Sequence, residues 1–259
     1  MTTPAAATYR VRDGRGWGVY AISAGRPANV PAMKELFSPD PITWVVPRPE
    51  RHDYAAAGAD AVLPVTDPPA GRHALCAARN AAMDHAAEQG VVCIQTDDDC
   101  KGFKLIPADG GKARPAAWWE LRDAILEALD GTVHLAGVPP TDNAYFARGK
   151  QLDYGFIIGS LCATDTDAVR WDETLPFKED YDYTCGHIDR YGKVARLDMF
   201  VASYQHYSNR GGAVTNRTPS AELALVKTLT ERWPRYLRPH SRRPGELSFI
   251  PQRSVRKTA

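Results

Sequence analysis

The chain has 259 residues, enough to bury a full core in one large α/β domain or two small ones. Its 32 Lys and Arg against 31 Asp and Glu give a formal charge of +1, which excludes a globally basic nucleic-acid coat but not local patches. Five cysteines (Cys76, Cys93, Cys100, Cys162, Cys185), odd in number and without a CxxC pair, exclude zinc-ribbon spacing and read as reduced thiols. No run approaches the ~18 apolar residues of a membrane span, and Met1 to Ala7 lacks a basic segment followed by an apolar one, so the expectation is a soluble, cytoplasmic protein.

After this small-residue leader, Gly18 to Ser23 reads as a first strand, broken by Ala24-Gly25-Arg26-Pro27 before a helix over Val30 to Phe37. A strand ending in a Gly-containing turn with an Arg suits the approach of a phosphate or nucleotide edge, although many turns look the same. Ile42 to Val46 and Ala61 to Val65 give two more strands, with a helix-permissive stretch, Glu50 to Gly58, between them. The alternation points to a mostly parallel central sheet flanked by helices. Gly71 to Gln89 is an Ala-rich helix stopped by Gly90, and Arg79-Asn80 within it reads most simply as an exposed polar pair.

The run Val91 to Thr96 is a buried strand that stops at Asp97-Asp98-Asp99. Three adjacent anions repel one another, so they form either a solvated turn or one end of a cation site. Alternation along an extended chain puts Asp97 and Asp99 on one face and Asp98 on the other. Phe103 to Arg114 reads as a loop. Trp118, Leu121, Ile125 and Leu129 form a core-facing helical stripe, and Val133 to Val138 a strand closed by prolines.

Tyr154 to Ala163 is strand-like with two glycines, each marking a bulge or a close backbone approach. Glu179, Asp180 and Asp182 open a helix closed by Tyr191-Gly192, where acids in the first turn offset the helix dipole. A strand over Val194 to Val201 leads to a polar loop, Tyr204 to Gly212, holding His206 and Arg210. From Arg232 to Ala259 there are eight Lys and Arg against one acid, Glu246, which reads either as a solvated terminus or as a contact for a polyanion such as DNA.

Taken in order, the strand-loop-Arg start, Ala78-Arg79-Asn80, Asp97-Asp98-Asp99, Glu179-Asp180 and His206 resemble the GT-A glycosyltransferase pattern over about Val19 to Arg210. That pattern comprises a DxD metal motif, an xED motif and a C-terminal histidine. The forms Gln95-Thr96-Asp97-Asp98-Asp99-Cys100 and Phe177-Lys178-Glu179-Asp180-Tyr181-Asp182 look most like the phage TET-associated glycosyltransferases, which act on 5-hydroxymethylcytosine in DNA. The resemblance implies one GT-A-like domain over residues 18–231, after a leader at 1–17 and before a basic C-terminal extension at 232–259. It also implies a host cytoplasmic setting.

The resemblance implies transfer of a sugar from a nucleotide sugar, expected to be a UDP-sugar, with Mn²⁺ or Mg²⁺ offsetting the charge of the leaving diphosphate. Asp99, Asp97 and His206 are then the metal residues, and an imidazole among them favours Mn²⁺. Asp180 is the base and Glu179 orients the acceptor, which implies an inverting displacement; a retaining outcome stays open. Ser23, Gly25, Arg26, Arg79, Asp98 and Arg210 are donor-binding candidates. Arg210 beside Gly211-Gly212 suits a cover over the diphosphate. Arg235, Arg238, Arg242 and Arg243 are the candidate DNA contacts. A protein or small-molecule acceptor, a sugar nucleotidyltransferase and a non-catalytic DNA-binding protein are the alternatives.

Overall fold

Trp17–Ile22 (β1), Ile42–Pro47 (β2) and Ala61–Val65 (β3) pair in parallel in the computed structural model, which describes residues 14–109, 111–147, 149–205 and 218–251. Parallel neighbours need crossovers, and Val30–Leu36 (α1) and Arg51–Ala56 (α2) supply them. Ala74–Glu88 (α3) then returns the chain past β1, so that Val92–Asp97 (β4) pairs with β1 on the side away from β2. Strand order reverses there, and the carboxyl ends of strands at such a reversal are where open α/β sheets bind ligands.

The chain continues through Cys100–Leu105 (β5), Arg114–Ala116 (β6), Trp118–Ala128 (α4), Leu135–Gly137 (β7), Gln151–Leu152 (β8) and Leu161–Thr164 (β9). Glu179–Tyr191 (α5), Ala195–Leu197 (β10), Phe200–Tyr204 (β11), Pro219–Arg232 (α6), Leu237–Pro239 (β12) and Leu247–Phe249 (β13) complete it. The large sheet has the order β3-β2-β1-β4-β9-β7-β10-β8, mostly parallel, with β9 and β8 antiparallel to their neighbours. A small antiparallel sheet has the order β11-β5-β6.

Period-2 alternation distributes the large sheet's side chains to two cores. Val19, Ala21, Trp44, Val46 and Ile94 pack with α1, α2 and α4. Tyr20, Ile22, Val45 and Cys93 face the opposite way, toward α3, α5 and α6. The α4 stripe Trp118, Leu121, Ile125 and Leu129 is buried as its spacing predicts, and the five cysteines are free and buried. Among the described residues, no helix is long and apolar enough to cross a membrane.

Several expectations are corrected. Phe103 to Arg114 is not all loop: Cys100 and Phe103 turn inward, and Phe103 packs edge-on to Phe37, which seats β5. Only the end of Tyr154 to Ala163 is strand. Val194 to Val201 divides between two sheets, because a turn at Asp198-Met199, held by Arg196 on the Asp198 carboxylate (2.6 and 2.9 Å), separates β10 from β11. Helix α6 is not among the expected elements, although Leu225, Val226 and Leu229 give it a buried side, Thr218 caps it by accepting from the Ala221 N–H and Pro219 opens it. The chain from 232 to 251 is not a solvated terminus, since β12 and β13 form a ribbon that buries Tyr236, Leu237 and Leu247.

Candidate active site

At the end of β4 the chain stops being extended, which changes where the three acids point. Asp98 and Asp99 form the turn into β5, so strand alternation no longer applies to them. The Arg26 guanidinium reaches both, at 2.9 Å from Asp98 and 3.5 Å from Asp99. Asp98 is buried and accepts a short hydrogen bond from Ser23 Oγ, which lies 2.5 Å from the Tyr54 hydroxyl. Tyr54 Oη also accepts from the Arg26 N–H (3.0 Å), and Glu50 accepts from the Gly25 N–H (2.6 Å). The turn after β1 is thereby tied to α2 and to the acidic turn. Burial pushes the Asp98 carboxyl up to about 6, with Asp97 and Asp99 adding to the rise and Ser23 and Arg26 opposing it.

Asp97 belongs to a second cluster. Arg79 does not stand on an exposed helix face: it is 2% exposed, and Asn80 7%. Its guanidinium donates to Asp97 Oδ1 (2.9 Å) and to the Gly159 carbonyl (2.7 Å), and lies 4.8 Å over the Trp171 ring. Gln95, on β4, donates to the Arg79 carbonyl (3.0 Å) and so fixes the helix against the strand. Asn80 holds the Trp171 segment, accepting from the Trp171 N–H and donating to its carbonyl, both at 3.0 Å.

Asp180, in the first turn of α5, enters the same cluster from 83 residues beyond Asp97. It accepts from the Gly159 N–H (3.3 Å) and the Tyr181 N–H (3.0 Å). A Cβ at Gly159 would lie 3.3 Å from both Arg79 Nη2 and Asp180 Cβ, so this glycine marks a close approach. Loss of hydration, then repulsion from Glu179, raises the Asp180 carboxyl to about 7; the Gly159 N–H and Arg79 oppose the rise. Just before this pair, Lys178 is the one non-glycine residue with positive φ (59°) among the described residues. Its buried ammonium pairs with Glu222 of α6 at 2.6 Å, which holds that backbone in place.

Arg79, Asp97, Asp180 and Gly159 thus meet at the carboxyl edge of β4, while Ser23, Arg26, Asp98 and Asp99 meet one strand away at the end of β1. The Gln205 N–H donates to the Asp99 carbonyl (3.1 Å), bringing the chain to the acidic turn one residue before His206. His206 and Arg210 lie outside the described residues. Arg235, Arg238, Arg242 and Arg243 are exposed on or beside the C-terminal ribbon. That ribbon docks beside Asp180, because Tyr181 donates to the Leu247 carbonyl (3.4 Å) and stacks on Phe156 at 3.9 Å, with Phe249 6.0 Å from both rings.

Tyr54, Ser160 and Tyr204 were not singled out from sequence. Tyr204 donates to the Ser160 carbonyl (2.7 Å), which also accepts from the Asp97 N–H (3.0 Å). No local signal marks such residues, whose partners lie far along the chain.

Five carboxylates (Asp97, Asp98, Asp99, Glu179, Asp180) face two guanidiniums in these clusters, and this excess of hard anionic oxygen suits a divalent cation. Among the described residues alone, no group of three or more His, Cys, Asp or Glu is placed to hold a metal. Such a site would need a ligand from elsewhere. No protein-family model matches the chain, and no curated protein matches it.

Proposed function

We propose that the chain is a metal-dependent GT-A glycosyltransferase that moves a sugar from a nucleotide sugar, a UDP-sugar in our reading, to the hydroxyl of 5-hydroxymethylcytosine in DNA. The observation that carries this reading is the meeting of Asp180, its carboxyl raised to about 7, with the Arg79-Asp97 ion pair at the strand-order reversal. One group poised for proton transfer and another poised for a charged leaving group then flank one crevice.

In this mechanism Asp180 takes the proton of the acceptor hydroxyl as its oxygen bonds to the anomeric carbon. The bond from that carbon to the diphosphate breaks, and the diphosphate departs with the electron pair. Glu179 orients the acceptor. Asp99, with Asp97 and His206, would hold Mn²⁺ or Mg²⁺, which would supply neutralisation of the diphosphate's charge. Arg79 holds Asp97 in place, and Ser23, Gly25, Arg26 and Asp98 line the end of β1 where the nucleoside would sit. The exposed arginines of the ribbon, docked beside Tyr181, put a phosphate-binding surface next to the base.

The test is mass spectrometry of 5-hydroxymethylcytosine DNA, plain DNA and protein acceptors incubated with a panel of nucleotide sugars, with and without Mn²⁺. Metal-dependent mass gain confined to the hydroxymethylated DNA is expected. Sugar on plain DNA to the same extent, or only on protein, overturns the proposal.

A further inference from the structure

Tyr145 and Phe146 are 86% and 66% exposed, and their rings meet edge to face at 5.3 Å. The other exposed large hydrophobics among the described residues, Trp119 and Leu223, are less exposed, at 53% and 52%. The turn that presents the two rings is built. Asn143 accepts from the Tyr145 N–H through its side chain and from the Phe146 N–H through its carbonyl, both at 3.0 Å, and Thr141 Oγ1 accepts from the Asn143 N–H. Gly149 anchors the far end on the Asp198 carbonyl (3.2 Å), packed so closely that a Cβ would lie 2.9 Å from the Pro107 carbonyl oxygen.

This loop leaves the large sheet at its candidate-site edge. Strand β7 is antiparallel to β9, and β9 to β4, so β7 and β4 end on the same edge. Val138, just past β7, donates to the Leu161 carbonyl, and the neighbouring Ser160 carbonyl accepts from Asp97. Across 101–114 and 141–150 the exposed Lys101, Lys104, Lys112 and Lys150 outnumber the exposed Asp109 and Asp142, and Arg114 is engaged by Glu120 at 2.6 Å. Two rings are far too small a patch for a protein interface of roughly 800 Å² per partner, whereas one ring face suffices for one base.

We infer that Tyr145 and Phe146 form a stacking platform for an unpaired nucleobase of a nucleic-acid strand, with Lys150 of the same loop and the exposed lysines of the segment that Gly149 packs against drawing in its phosphates. The inference rests on the nucleic-acid reading of the acceptor given above. In the strand this platform would hold a base displaced from the stack, the same distortion that exposes a reacting base.

The test is fluorescence anisotropy of a labelled 20-mer oligothymidine and of a blunt duplex, with no donor or metal present, against the full chain and its Y145A/F146A variant. Both side chains are exposed, so circular dichroism is expected to be unchanged. The oligothymidine affinity should fall by about 10-fold or more and the duplex affinity far less, with Y145F/F146W restoring binding. Unchanged oligothymidine binding overturns the inference, as does an equal fall for both DNAs. Loss of a dimer in sedimentation with no change in DNA binding assigns the rings to self-association and also overturns it. Failure of the transferase reading shows instead as absent sugar transfer to both DNA and the free hydroxymethylated nucleoside, which leaves the anisotropy unaffected.

Discussion

Burial and Glu179 together hold the Asp180 carboxyl near 7, and the sign of that shift has two consequences. A carboxyl whose folded-state value lies above its ordinary 3.8 binds its proton more tightly folded than unfolded. Stability therefore falls as pH rises from about 4 to about 7 and stays reduced above that. Asp180→Asn should accordingly raise the melting temperature by a few degrees at pH 8 and leave it unchanged at pH 4, as scanning calorimetry would read. Transfer should fall by ~10²–10⁴-fold in the same variant, and the wild-type rise in kcat/KM with an apparent pKa of about 7 should vanish. The residue types around this group were visible in the sequence, but their pairing was not. Asp97 and Asp99 were expected on one face, yet they answer to different arginines, because the strand ends at Asp97, two residues short of what the alternation needs.

Helix α3 shows why an element can be read correctly and its purpose missed. Alanine on several faces lets it lie close to the sheet, and that closeness buries Arg79 and Asn80, which composition alone assigns to water. Asn80→Ala would leave the Trp171 N–H and carbonyl without their partner in a buried place, at a cost of about 2 kcal/mol. Urea unfolding should show that loss, and transfer should decline with it, since the Trp171 ring lies under Arg79. Helix α4 was legible from its period and β1 to β4 from their short apolar runs between breakers. Strands β7, β9 and β10 lie in or overlap the strands expected over Val133 to Val138, Tyr154 to Ala163 and Val194 to Val201, but each has only three or four residues, and their ends and partners were not legible. So short a run has no period of its own, and its pairing is decided by residues dozens of positions away.

At the scale of the whole molecule, the open sheet with helices on both faces was foreseeable from the alternation of strands and helices. The closing of the C-terminus onto α5 was not. Its arginines suggested an extension, whereas Tyr236, Leu237 and Leu247 pin it to the core and leave Arg235, Arg238, Arg242 and Arg243 outside. Arg242→Ala with Arg243→Ala should weaken DNA binding and make the slope of log affinity against log salt shallower by about 2, without changing the melting temperature.

The acidic turn ends the last strand of the large sheet's first half and begins the small sheet in the space of two residues. Whatever settles on Asp98 and Asp99 therefore pulls on both sheets at once. Trp118 is wedged between Phe103 of the small sheet and Phe37 beneath the large one, with centroids 5.8 and 4.5 Å away. Its indole, buried between the two sheets, would respond to any shift of one against the other when a ligand settles on the acidic turn.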